Sequence, residues 1–160
     1  MSEESQLSAI SELERKVLSF FSDAVRVLGL PKSVGEIYGL LFISKEPLSL
    51  DNLVSKLKIS KGSGSQGLKM LRTLGAVKES GEVSGRKTYY EADAELKSLV
   101  GGLIKHEVRP HLESAKSKIT AMRKLDDYND SFYSERVEKL NKWRKRAGLV
   151  LPILQKILGK

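Results

Sequence analysis

A chain of 160 residues, 40% hydrophobic and 30% charged, has the apolar material for one compact domain or for a small domain with long helical arms, and is too short for a multi-domain enzyme. The absence of cysteine excludes disulfides, thiol catalysis and thiolate-held zinc. No apolar run reaches the roughly 18 residues that span a bilayer and the start is acidic and polar, unlike a secretion signal, so we expect a globular, cytoplasmic protein. The net charge of +8 is unevenly spread: 52–78 holds six basic residues and no acidic one, and 134–160 holds eight basic and two acidic, whereas 1–30 is slightly acidic and 93–133 is balanced. A charge run is either a solvated helix face or a surface for an anionic partner, and its place in the fold decides which.

Ile10, Leu13, Val17, Phe20, Ala24 and Leu28 recur at helical spacing. Ser11 and Glu14 are spaced as a capping box at the start of this first helix, and Gly29 and Pro31 close it. Ser33 and Glu36 repeat the box ahead of Ile37, Leu40, Leu41 and Ile43, a second helix. Beyond Pro47, Ser49 caps a short helix with Leu50, Leu53 and Leu57 on one face and Asp51 in its first turn. Only Lys58, Ile59 and Ser60 separate it from a segment that Ser60 caps, that carries Leu68, Leu71 and Leu74, and that ends at Gly75. Two short helices joined so tightly predict helix-turn-helix.

The β-prone stretches 76–80 and 87–91 bracket the turn-rich 81–86 and predict a hairpin. Asp93 then caps a long helix through Leu96, Leu99 and Leu103, continuing past Pro110 to Leu112, Ala115, Ile119 and Met122. After a polar break at Asp126 and Asp127, a last helix carries Val137, Leu140, Trp143, Ala147, Leu151, Leu154 and Leu158 on one side. Pro152 is expected to kink it and Gly148 to weaken it. The order predicts a mainly α protein: a winged helix-turn-helix domain over 30–92 with a β-hairpin wing, flanked by long helices in 1–29 and 93–160 that we assign to dimerisation, since their apolar stripes exceed what a small core covers.

The stretch from Leu30 through Pro31, Lys32, Ser33, Val34, Gly35, Glu36, Ile37, Tyr38, Gly39, Leu40 and Leu41 to Phe42, then Ile59-Ser60-Lys61-Gly62-Ser63, then Gly85-Arg86-Lys87-Thr88-Tyr89-Tyr90-Glu91-Ala92, resembles the GbsR type of MarR-like regulators. The resemblance runs from about Leu13 to about Leu125. It implies a dimeric winged-helix regulator of transcription, in some relatives responsive to a small osmolyte-type effector. The basic helix from Ser134 onward lies outside it.

In helix-turn-helix binding the second helix enters the major groove with its N-terminal residues against base edges. Here that helix is 61–74 and the wing is 76–91. Its start, rich in small residues, would approach the groove closely. Gln66 has the bidentate amide that pairs with adenine, Lys61, Ser63 and Ser65 reach bases or phosphates, and Lys69 and Arg72, further along, suit the backbone. Three glycines within 62–67 weaken a helix by about 1 kcal/mol each, so a glycine-rich loop, or a helix start ordered only on DNA, stays open. Arg86 and Lys87 stand where a wing meets the minor groove, which attracts arginine; the other reading is edge-strand charge. Tyr89 and Tyr90 alternate faces, one toward the core, and both are structural.

No catalytic set, cofactor loop or metal set is expected. His106 and His111 are five residues apart, about 140° round a regular helix, where the zinc-protease motif needs one turn. Tyr128, Phe132, Tyr133 and Trp143 form either packing or a cage for a cation. Duplex DNA, as a homodimer, is the expected partner. The other class of function for the same fold is docking on a protein or a membrane surface, which the basic and apolar last helix keeps open.

Overall fold

The computed structural model describes residues 10–80 and 87–158. Ser11 accepts from the Glu14 N–H at 3.1 Å while the Glu14 carboxylate accepts from the Ser11 N–H at 2.6 Å, so the predicted capping box starts α1 (Glu12–Val27). The second box does not form. α2 (Lys32–Ile43) begins directly after Pro31, which takes the N-cap position with no side-chain hydrogen bond. The fixed φ of proline already suits a helix start, so Ser33 falls inside the first turn, and Glu36 pairs instead with Lys32 at 2.9 Å.

The most buried face of α1 is offset from the expected stripe, of which Ile10 and Val17 are half-buried against the core. Leu18, Phe21, Ser22 and Val25 are its buried residues, while Leu13 and Phe20 of the expected stripe are 62% and 63% exposed. Leu13, Phe20, Ala24 and Val27 stand exposed along the outer side at heptad-like spacing, while Val17 between them is half-buried and packs against the core. The inner side meets α2 at Gly35 and Gly39, where a Cβ on Gly35 would lie 2.5 Å from the Phe21 carbonyl oxygen. Phe21 then stacks edge-on against Tyr38, ring centres 4.9 Å apart. Tyr38 is fully buried and donates its hydroxyl to the Asp93 carbonyl at 2.7 Å. Burial, with the Asp93 charge second, pushes that phenol up to about 12.

After β1 (Leu48–Ser49), the hydroxyl of Ser49 caps α3 (Leu50–Leu57), and that of Ser60 caps α4 (Lys61–Thr73). Between them Lys58 sits at φ 55, the left-handed turn that brings the two helices together. β2 (Val77–Glu79) pairs antiparallel with β3 (Tyr89–Ala92), Lys78 opposite Glu91. β1, a strand not expected from sequence, adds to the other edge of β3 through Leu48 opposite Tyr90, giving the order β1-β3-β2. Tyr90 packs on the core and Tyr89 is half-buried beside Leu48 and Lys56. This is the winged helix-turn-helix fold, its core closed by Ile37, Leu40, Leu53, Leu71 and Ala76.

Ahead of α5 (Leu96–Leu103), the Asp93 carboxylate accepts from the Ser98 hydroxyl at 2.6 Å and the Glu95 N–H at 2.9 Å. These bonds, Ser98 first, hold it below the ordinary carboxylate range. The expected continuous helix is interrupted by a π turn over Ile104–Val108, closed by the Arg109 N–H on the Ile104 carbonyl, before α6 (Arg109–Met122). The wider turn lies where the Pro110 ring would meet the carbonyl four residues back, at His106. It also alters the 140° angle expected between His106 and His111; both are exposed, and no group of three or more His, Asp or Glu able to hold a metal occurs among the described residues.

The chain divides into two compact units, Met1–Leu99 and Val100–Lys160. In the second, a 3₁₀ turn at Asp126–Asn129 reverses the chain into α7 (Ser131–Leu158), which lies along α6. Tyr128 donates its hydroxyl to the Glu138 carboxylate at 2.8 Å and Arg123 grips the same group with two bonds of 2.8 Å; these bonds, Tyr128 first, hold Glu138 below its ordinary range. Arg109 donates to Gln155 at 2.8 Å nearer the other end of the pair.

The side of α7 bearing Asn141 and Leu151 turns inward; the other bears Tyr133, Leu140, Trp143, Ala147, Val150, Leu154 and Ile157, again at spacings of three and four once Arg136 is counted. Of the expected apolar stripe, Val137 and Leu151 are half-buried and Leu140, Leu154 and Leu158 are exposed. α7 runs as one helix through Gly148 and Pro152, with the proline inside it. Gly148 is four residues before the proline, so its carbonyl lacks the usual donor, and a Cβ there would meet nothing within 4 Å. Gly148→Ala is accordingly expected to stabilise the unit by about 0.5–1 kcal/mol, read as a rise in melting temperature.

Candidate nucleic-acid interface

α4 is helical from Lys61 despite its glycines, and the reason lies on its inner side. Gly64 and Gly67 face inward, where a Cβ on Gly64 would lie 2.8 Å from Leu50 Cδ1 and one on Gly67 would lie 2.4 Å from Ile37 Cδ1. Missing side chains let α4 settle against α3 and α2, so these two glycines serve packing and not the close approach to a groove expected from the sequence. Gly62 alone of the three is open, with only Ser60 Oγ, at 3.9 Å, within reach of a Cβ. With Leu68 and Leu71 buried beside the two inner glycines, the outer face consists of Lys61, Ser65, Gln66, Lys69, Arg72 and Thr73.

The predicted residues therefore divide by environment. Ser65, Gln66 and Lys69 are exposed, and none of them has a side-chain hydrogen bond or ion pair among the described residues. Ser63 is half-buried and turned toward the cap, accepting from the Ser60 hydroxyl at 3.0 Å while its own N–H donates to Ser60 Oγ at 3.1 Å. Arg72 meets Glu79 of β2 at 2.9 Å. Lys61 Nζ lies 3.6 Å from Asp51 Oδ1, and Lys87 Nζ, just before β3, lies 3.8 Å from Asp51 Oδ2. Arg86 lies outside the described residues.

The stretch 52–78 lacks carboxylates in sequence but not in space. Asp51, Glu79 and Glu91 border it, Glu91 pairing with Lys78 at 3.0 Å. Asp51 carried only a helix-start signal in the sequence, and no local pattern marks the two other partners; their pairings follow from the sheet register and from the turn at Lys58.

Each of the four aromatic residues set between packing and a cage has a local partner. Phe132 stacks edge-on with Tyr133 at 5.6 Å and under the Arg136 guanidinium at 5.0 Å, Trp143 lies under Arg146 at 6.0 Å, and Tyr128 is committed to Glu138.

No protein-family model matches the chain. Over 93 residues it is 30% identical to the HTH-type transcriptional repressor GbsR of Bacillus subtilis (strain 168), a match covering 58% of this chain and 51% of that protein. The resemblance to GbsR-type regulators holds. The chain thus spans about half the length of this curated relative. A crystal structure of a transcriptional regulator superposes with a TM-score of 0.72 at 17% identity, covering 91% of this chain and 95% of that one. At that identity the likeness is one of fold.

Proposed function

We propose that the protein binds duplex DNA as a homodimer in the cytoplasm and regulates transcription as a repressor, α4 reading the major groove and the wing following the backbone. The observation that carries this reading is the outer face of α4: Ser65, Gln66 and Lys69 stand exposed and uncommitted along one helix backed by a packed core. Gln66 has the donor and acceptor that match an adenine edge, while Lys69 offers a point charge suited to phosphate. Lys61, Arg72 and Lys87, with Arg86, supply further charge, and Ser63 contributes through the helix start. The GbsR repressor as a relative supports the same reading.

The homodimer rests on the exposed apolar residues of α1, Leu13, Phe20 and Val27, and of α7, Leu140, Trp143, Val150 and Ile157. A symmetric helix-turn-helix dimer sets its recognition helices about 34 Å apart, which favours a pseudo-palindromic site. For an effector, a groove of about 870 Å³ in the first unit has a suitable size, its walls including Glu14, Lys56, Asn52, Leu48 and Tyr89.

A gel shift with duplex DNA at low and high salt tests the reading; we expect binding that weakens steeply with salt. Gln66→Ala is expected to lose discrimination between operator and random duplex. Lys69→Ala is expected to weaken both alike and to lower the salt slope by about one unit. Equal loss of specificity from the two substitutions would mean that the helix is oriented otherwise.

A further inference from the structure

We propose that Asp51 is an electrostatic brake on DNA binding, a carboxylate that holds in the free protein the two lysines that phosphates would take in the complex. This rests on the DNA-binding reading above. Asp51 is the only acidic residue between Glu46 and Glu79, and it sits in the first turn of α3. Its two oxygens point to different elements: Oδ1 to Lys61 at the start of α4, Oδ2 to Lys87 at the base of the wing. One side chain thus joins the helix-turn-helix to the wing at the edge of the surface where duplex would lie.

Both separations, 3.6 and 3.8 Å, exceed the 2.7–2.9 Å or so of a charge-assisted hydrogen bond, and all three side chains are more than half exposed. Such pairs add little to folding and exchange easily. The helix start itself is fixed by other groups, since Ser49 and Asn52 form the cap. Asp51 therefore acts chiefly by its charge. A phosphate reaching either lysine must displace this carboxylate and stay close to it. Among the described residues the other acid–base pairs of the interface are one-to-one, Arg72 with Glu79 and Lys78 with Glu91, and Asp51 is the one carboxylate that restrains two cations.

Asp51→Asn keeps the shape and removes the charge. It is expected to raise affinity for a mixed-sequence duplex about five- to tenfold at low salt and to steepen the salt slope by about one unit per subunit, while Asp51→Glu stays near wild type. Repeating Asp51→Asn in a Lys61→Gln, Lys87→Gln background separates charge from structure, because the gain should vanish there, whereas a merely structural role would leave it unchanged. Wild-type binding with unaltered or weaker binding by Asp51→Asn overturns the brake alone, and so does a gain that persists without the two lysines. Failure of the wild type to bind any duplex at low salt overturns the DNA-binding reading and the brake with it.

Discussion

Gly35→Ala is expected to destabilise the first unit by about 3 kcal/mol or more, at the upper end of overpacking costs. The added methyl would lie 2.5 Å from the Phe21 carbonyl oxygen, 2.7 Å from the Phe21 carbonyl carbon and 2.7 Å from Ser22 Cα. These are backbone atoms of α1 with no rotamer to change, so relief requires the two helices to part. Parting them would open the contact of Phe21 with Tyr38 and Phe42 that forms one wall of the core. The better helix propensity of alanine, about 1 kcal/mol, offsets only part of this. For a unit of about 100 residues the melting temperature should fall by about 10–25 °C. Gly39→Ala, whose nearest neighbour is the Phe21 ring at 3.2 Å, should cost distinctly less. Thermal unfolding followed by circular dichroism reads both, and a Gly35→Ala protein melting within a degree or two of wild type would contradict the close α1–α2 approach.

The same glycines show which parts of the fold could be read from sequence. Ser11, Ser49 and Ser60 were legible because an N-cap bonds to a backbone group two or three residues ahead, a pattern contained in the local sequence. Ser33 had that spacing too, but Pro31 already supplied a helix start, and local pattern cannot decide between two adjacent starts. Gly64 and Gly67 were visible as glycines, yet whether a small residue serves a groove or a neighbouring helix depends on the face it occupies. α1 is ambiguous for a related reason: apolar residues lie on both of its sides, Leu18, Phe21 and Val25 inward and Leu13, Phe20 and Val27 outward, so spacing alone does not say which side meets the core. Two-residue β1 is too short for any periodicity, and the carboxylates that restrain Lys61, Arg72 and Lys87 come from chain reversals and strand register. What sequence conveyed well was the helix-turn-helix itself, because its turn is short and both its helices carry their own caps.

The outward face of α7 leads to the second large effect. Val150 and Ile157 are 51% and 70% exposed, one heptad apart on the side turned away from α6. Val150→Glu with Ile157→Glu should leave the α6–α7 pair intact, since its bonds run through Arg109, Gln155, Arg123 and Glu138. In a dimer joined at this seam the two carboxylates of one copy would meet apolar side chains of the other, and burying an unpaired charge opposes association strongly. We therefore expect the double variant to sediment as a monomer at micromolar concentration with its helix content unchanged. Operator affinity should fall by about 10²–10⁴, because each half-site is then held without the gain from linkage to the other. Such coupled loss separates this reading from the membrane one, in which Arg144, Lys145 and Arg146 beside the apolar end of α7 dock on anionic lipid. A variant that remains dimeric, still binds operator and loses only its attachment to anionic vesicles would show that the seam faces lipid.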